Sequence, residues 1–185
     1  MSPTTRRTWV TSDGVVEGTA TIEDVEAFLD DVDAIAHAHG VTIQAFDARY
    51  VLGREHLERA VTLATRAIDR GDAIARDEAV EILLYAAGRR QIDRALAMGV
   101  SEGECPVVAA VVDTDAASPA GDPTADETAA GDALCEHFDS AGTLGEYDED
   151  RVCDFFGIPD RERGATAGDL ADLVCERVAL LVVER

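Results

Sequence analysis

From Cys105 to Val112 the chain runs almost without a polar side chain, with Pro106 near its head. At this length such a run reads as a buried strand. Whatever else the chain forms must therefore cover it. The remaining pattern supplies the cover, because most of it is amphipathic helix. Ile22, Val25, Leu29, Val32 and Ala36 recur in steps of three and four, after a capping-box variant at Thr21-Ile22-Glu23-Asp24 and before Gly40. A second helix is predicted over about 55–70, with Leu57, Ala60, Val61, Ala64 and Ile68 facing inward and Gly71 as its stop. A third is predicted over 78–87, burying Val80, Leu83, Leu84 and Ala87 and ending at Gly88. A fourth, over 90–98, is expected to bury Ile92, Ala95 and Leu96 before Gly99.

Strand signals are fewer. Val41 to Phe46 alternates with period two, and Tyr50-Val51-Leu52 continues or pairs with it. Asp13-Gly14, between Trp9-Val10 and Val15-Val16, has the form of a hairpin turn. Three further helical stretches are predicted at about 127–139, 148–156 and 167–184, the last with a long apolar stripe. Between strand and helix, residues 113–126 are rich in Asp, Ala, Pro, Gly, Ser and Thr and read as a mobile acidic loop. The expected fold is mixed α/β, a small, largely antiparallel sheet packed by about seven helices. With 185 residues and no internal repeat, it is expected to form a single domain over 1–185.

Charge is the other dominant feature. There are 38 acidic residues against 16 basic ones, a formal net charge of -22, and every base is arginine. The acids are scattered through helical patterns rather than blocked in a tail. That distribution fits a folded protein adapted to a salt-rich cytoplasm, where dense carboxylates hold water and ions at the surface. Nothing near the start has the build of a signal peptide, and no apolar run approaches the roughly 18–20 residues that span a bilayer. The expected location is the cytoplasm, with no membrane contact. Cys105, Cys135, Cys153 and Cys175 show no paired ligand spacing, so they read as small buried hydrophobes rather than zinc ligands. His37 and His39, two apart, point to different faces of a helix and are assigned no metal.

The local charge count departs from the total. Residues 48–94 hold nine arginines and eight acids, whereas the rest of the chain holds seven arginines and thirty acids. Solubility in salt gives no reason for that exception; contact with an anion or an acidic partner does. Arg59, Arg66 and Arg70 fall on one helical stripe opposite the core face, and Arg90 and Arg94 align four apart. Arg89, Arg90 and Gln91 are expected in the turn and first helical turn after Gly88, where free backbone N–H groups would assist an anion. The competing reading is a solvated face of ion pairs, since Glu55/Arg59 and Arg89/Asp93 have i,i+4 spacing. No phosphate-binding loop, dinucleotide fingerprint, zinc-protease motif or nucleophile elbow is present, so no catalytic residue and no cofactor is expected. Aromatic residues, at 5%, are too few for a stacking sheet platform of the RNA-binding kind. Tyr85 reads as a packed ring with its hydroxyl at the rim.

The same window carries a family likeness. Ile43-Gln44-Ala45-Phe46-Asp47-Ala48, Glu55-His56-Leu57-Glu58-Arg59-Ala60 and the stretch from Val80-Glu81-Ile82-Leu83-Leu84-Tyr85 through Ala86-Ala87-Gly88-Arg89-Arg90-Gln91-Ile92 resemble the kinase-binding accessory subunits of the KEOPS tRNA-modifying complex. That is the family of the p53-related-protein-kinase binding protein. The likeness extends over about 15–112, more weakly into the C-terminal helix, and the acidic loop departs from it. The resemblance implies a subunit without an active site that docks on a small kinase-like ATPase. Through that ATPase it would meet the catalytic subunit that installs threonylcarbamoyl on adenosine in tRNA. It further implies a part in recruiting tRNA by its unpaired 3′ end. Arginines suit phosphates and unstacked bases, so the expected tRNA contact comprises Arg59, Arg66, Arg89, Arg90, Gln91 and Arg94. The kinase contact is expected to be an apolar patch of small residues, with Ala86, Ala87 and Gly88 as candidates alongside an intramolecular packing role. A protein-only adaptor without RNA contact, and an enzyme with an unrecognised carboxylate site, are the other functions open to such a chain.

Overall fold

In a computed structural model the chain builds a four-stranded sheet with helices on both faces. The structure describes residues 10–11, 14–113, 125–139, 141–165 and 168–183. The strands are β1 (Val10–Thr11), β2 (Val15–Ile22), β3 (Thr42–Asp47) and β4 (Gly103–Val112), in the order β1-β2-β4-β3, and every neighbouring pair is antiparallel. Eight α-helices are present among the described residues: α1 (Val25–His39), α2 (Arg54–Asp69), α3 (Glu78–Ala87), α4 (Ile92–Ala95), α5 (Ala125–Cys135), α6 (Glu149–Phe156), α7 (Asp160–Ala165) and α8 (Leu170–Leu180). The mixed α/β class with an antiparallel sheet is therefore as the sequence predicts.

The apolar run lies at the centre. Because alternate residues of a strand face opposite sides, β4 serves two cores at once. Val108, Ala110 and Val112 pack with Phe46 against α2, α3, α6 and α8. Cys105, Val107, Ala109 and Val111 pack with Val16 and Ile43 against α1 and α5. Pro106 is tolerated mid-strand by register. The Val111 N–H bonds to Gly14 on the β2 side, so even-numbered residues of β4 turn their backbone groups toward β3. β3 ends opposite Val107, so the proline's missing donor has no strand opposite it to bond.

On the first face, α2 and α3 form a helical hairpin held by two buried polar side chains. The Glu81 carboxylate has no exposed surface and accepts from the backbone N–H groups of Ile74 and Ala75 at 3.0 and 2.7 Å, folding the connecting loop back onto α3. His56, 1% exposed, receives the Leu52 N–H at Nδ1 and donates from Nε2 to the Ala86 carbonyl at 2.8 Å. The start of α2 is thereby fastened to the end of α3, and the imidazole meets the Phe156 ring of α6 in a T-shaped contact. Burial pushes the His56 pKa down to about 4.

Several predicted boundaries shift, each for a local reason. Thr21 and Ile22 finish β2, so the first helix begins at Val25, behind Asp24, whose carboxylate accepts the Ala27 N–H. Ala48–Tyr50 turns as a 3₁₀ segment instead of extending β3, because Asp47 accepts from the Arg49 backbone and guanidinium and bends the chain there. The predicted fourth helix is one α-turn, α4, followed by a 3₁₀ turn over Leu96–Met98. Its inward residues are Ala95 and Met98, while Ile92 and Leu96 are 45% and 55% exposed, contrary to the expected burial. The helix α7 is unforeseen, and α8 starts at Leu170, behind a capping box of Asp169 and Asp172. Ala125 and Asp126, assigned to the acidic loop, open α5; residues 114–124 of that loop and 12–13 of the hairpin turn lie outside the described residues.

Two measurements check this packing. Gly88 caps α3 at φ 60°, and a Cβ there would sit 3.1 Å from the Arg177 carbonyl of α8, whereas Gly40 caps α1 at φ 66° with open space around it. Both alanine variants carry the left-handed penalty of about 1–2 kcal/mol. Urea unfolding should show Gly88→Ala losing more than Gly40→Ala, and equal losses would contradict the α3–α8 contact. The second concerns pH. The folded pKa of His56 is about 4 and the unfolded value about 6.5, so the unfolded chain binds the proton first. Its contribution is fully present above pH 6.5 and falls as pH drops toward 4, by roughly 3 kcal/mol in all. His56→Gln should remove that part of the slope between pH 6.5 and 4.

Candidate nucleic-acid and partner interface

The arginine-bearing window folds into the 3₁₀ turn after β3, then α2, α3 and α4. In the α2–α3 hairpin the chain reverses, so the N-terminal half of α2 lies beside the C-terminal end of α3, as the His56–Ala86 bond requires. Arg59 therefore stands at the same end of the hairpin as Arg89 and Arg90. Arg66 and Arg70 lie roughly 10 and 16 Å further along the α2 axis, at about 1.5 Å per residue.

The individual guanidinium groups divide into engaged and open ones. Arg49 forks onto Asp47 with bonds of 2.9 and 2.8 Å, and that hydrogen bonding raises its pKa further. Arg89, half-buried, donates to the Phe155 carbonyl and covers the Phe155 ring at 5.3 Å, tying the α3 terminus to α6. Arg59 approaches Glu55 only to 3.9 Å, with 45% of its side chain exposed; such an exposed i,i+4 pair adds little. It also faces α8, where its charge opposes the burial that raises the Cys175 thiol pKa. Arg90 is exposed and has a partner within the chain. Arg66, Arg70, Arg76 and Arg94 are exposed and form no ion pair among the described residues.

Of the backbone N–H groups expected to assist an anion after Gly88, the first is already engaged within the chain. The Gly88 and Arg89 N–H groups close the end of α3 onto Leu84 and Tyr85 carbonyls. Gln91 is exposed and caps α4 without a side-chain bond, and α4 is a single turn with almost no aligned dipole to offer. Sequence spacing could not separate a true helix from this short turn, because both place Arg90 and Arg94 four apart.

Ala86 and Ala87 are completely buried within the chain. Gly88 is half-buried against the α8 backbone. The structure places all three in intramolecular packing, and Gly88 lets α8 approach the end of α3. Among the described residues the exposed large apolar side chains are Ile92 and Leu96 after α3, Leu29 on α1, and Leu180 and Val183 at the end of α8. The predicted stripe of the last helix, through Leu170, Leu173, Val174, Val178 and Leu181, is buried, and Leu180 and Val183 fall outside it. Tyr85 is 3% exposed.

No helix among the described residues is long and apolar enough to cross a membrane. Among curated proteins none matches the chain significantly. The model of one protein family, described as kinase binding protein CGI-121, matches residues 22–181, taking in the sheet from the end of β2 onward and all the helices. The chain belongs to the CGI-121 family of kinase-binding proteins.

Proposed function

We propose that this protein is a non-catalytic accessory subunit of the KEOPS complex, acting in a salt-rich cytoplasm. It binds the kinase-like ATPase subunit, contacts the threonylcarbamoyl-transferring subunit through it, and helps recruit tRNA by the 3′ end. The family match carries the kinase-binding half of this reading. The RNA half is supported by the charge exception: in a chain of net charge -22, Arg66, Arg70 and Arg94 stay exposed and uncommitted to any ion pair among the described residues. Arginine is suited to this because its planar fork engages phosphate oxygens and stacks on unpaired bases.

One observation favours the alternative, a regulatory adaptor that touches protein only. Arg49 and Arg89, two of the nine arginines in the spared window, hold the fold together through Asp47 and Phe155. Part of the local excess of arginine therefore has a structural use. The two readings separate on the remaining arginines.

Two experiments test the proposal. Co-purification with the kinase-like ATPase subunit, at the salt of the native cytoplasm, should recover a stable complex; failure to associate would remove the adaptor reading. In a gel shift, the isolated subunit should retard tRNA and lose that retardation when the terminal CCA is removed. Arg66→Glu combined with Arg94→Glu should weaken tRNA binding by roughly tenfold or more and flatten its salt dependence. Because both side chains are exposed, the circular dichroism should not change. Unaltered tRNA affinity would leave the protein-only adaptor.

A further inference from the structure

The sheet has one edge that no element of the described chain pairs. β3 is the last strand in the order β1-β2-β4-β3. Its inner neighbour fixes which backbone groups point outward. Val111 turns its N–H to Gly14 on the β2 side, so Val112 and Ala110 bond to their partners Thr42 and Gln44. Ile43 and Ala45 then direct their N–H and C=O groups away from the sheet. One of these, the Ala45 carbonyl, is taken by the neighbouring Gln44 side-chain amide at 2.8 Å. No other backbone bond to this edge is recorded among the described residues. Yet Ile43 and Ala45 are 3% and 2% exposed. Unpaired backbone groups screened this far from bulk water are costly.

They open into a groove of about 470 Å³. One wall is α1, through Val25 and Leu29; the other is α3, through Val80 and Leu83; Leu96 and Val100 close one end. Leu29 and Leu96 keep 39% and 55% of their surface exposed there. The opposite end, near the start of β3, is acidic. Asp33 of α1 and Asp77 before α3 both line it. The Asp33 carboxyl is raised by partial burial and by the charges of Asp77 and Asp30. Arg76 stands at that end too, without an ion pair to either carboxylate among the described residues.

We propose that this groove receives an extended segment of a partner polypeptide, apolar at successive positions and carrying lysine or arginine at one end, added as a fifth strand along β3. The backbone groups of Ile43 and the Ala45 N–H supply the ladder. Both walls are apolar, so the segment is apolar on both of its faces, unlike a surface strand. Its cationic end meets Asp33 and Asp77, whose like charges otherwise oppose each other. β-Strand addition of this kind takes affinity from main-chain bonds and specificity from the flanking pockets. The Gln44 amide acts as a removable cover on the one carbonyl it holds, a device that blunts an open edge until it is used. The proposal is independent of the arginine surface, which lies on α2 and α4, and does not require the kinase to be the partner.

The test is an NMR titration of the ¹⁵N-labelled full chain with a blocked synthetic hexapeptide, threonine and three valines followed by two arginines. Saturable shifts at the Ile43 and Ala45 amides, with slowed hydrogen exchange at both, are expected. Leu96→Asp and Asp33→Arg, at exposed positions outside the core, should each weaken binding at least tenfold, as should replacing the peptide arginines by glutamates. The proposal is overturned if the two amides do not respond, or if both variants bind as the parent does. It is equally overturned if the free chain already protects Ile43 and Ala45 from exchange, which would place a segment of its own there. Sedimentation showing a dimer that Leu96→Asp dissolves would assign the groove to a second copy instead.

Discussion

The double-sided burial of β4 is the constraint from which the rest of the structure follows. A strand apolar on both faces cannot rest on solvent, so helices must close over each side. Val108, Ala110 and Val112 call for one layer and Val107, Ala109 and Val111 for the other. The two layers differ in kind. The face bearing α1 and α5 is thin, and only Val32 of α1 is fully buried. The opposite face carries the α2–α3 hairpin with α6 and α8 and is dense with alanine and leucine.

That density depends on a small number of polar bonds in an apolar setting. His56 and Glu81 each satisfy backbone groups that the hairpin would otherwise bury unpaired, and such bonds matter most where water is excluded. They fix how α2 and α3 align, and so fix which arginines reach the surface together. Gly88 then lets α8 approach the end of α3, and Arg89 reaches across to α6. The stretch that resembles the family, from Glu55 to Ala60 and from Val80 to Ile92, therefore contains the hairpin's fastening points as well as its exposed charges. A family likeness there includes the side chains that fasten the fold.

Much of this was legible in residue order. Glycine stops placed the C-terminal ends of α1 and α3 within a residue or so, and the apolar run placed β4, because these signals act locally. What could not be read were tertiary decisions. Ile92 and Leu96 carry the spacing of a buried face but belong to a turn too short to lay that face down, so they stay exposed. Arg49 and Arg89 counted toward a surface charge excess, yet their partners Asp47 and Phe155 are revealed only by the fold. The open edge of β3 was equally hidden, since strand order across the sheet has no signature in Thr42–Asp47 itself.

The central claim is that the arginines left open on α2 and α4 touch RNA while the family fold holds a kinase. The most direct measurement is cross-linking of the kinase-bound protein to tRNA, with the attached nucleotides mapped by mass spectrometry. The account predicts adducts between the 3′-terminal nucleotides and peptides containing Arg66, Arg70 and Arg94. Adducts confined to the α1–α5 face, or to the kinase alone, would contradict it.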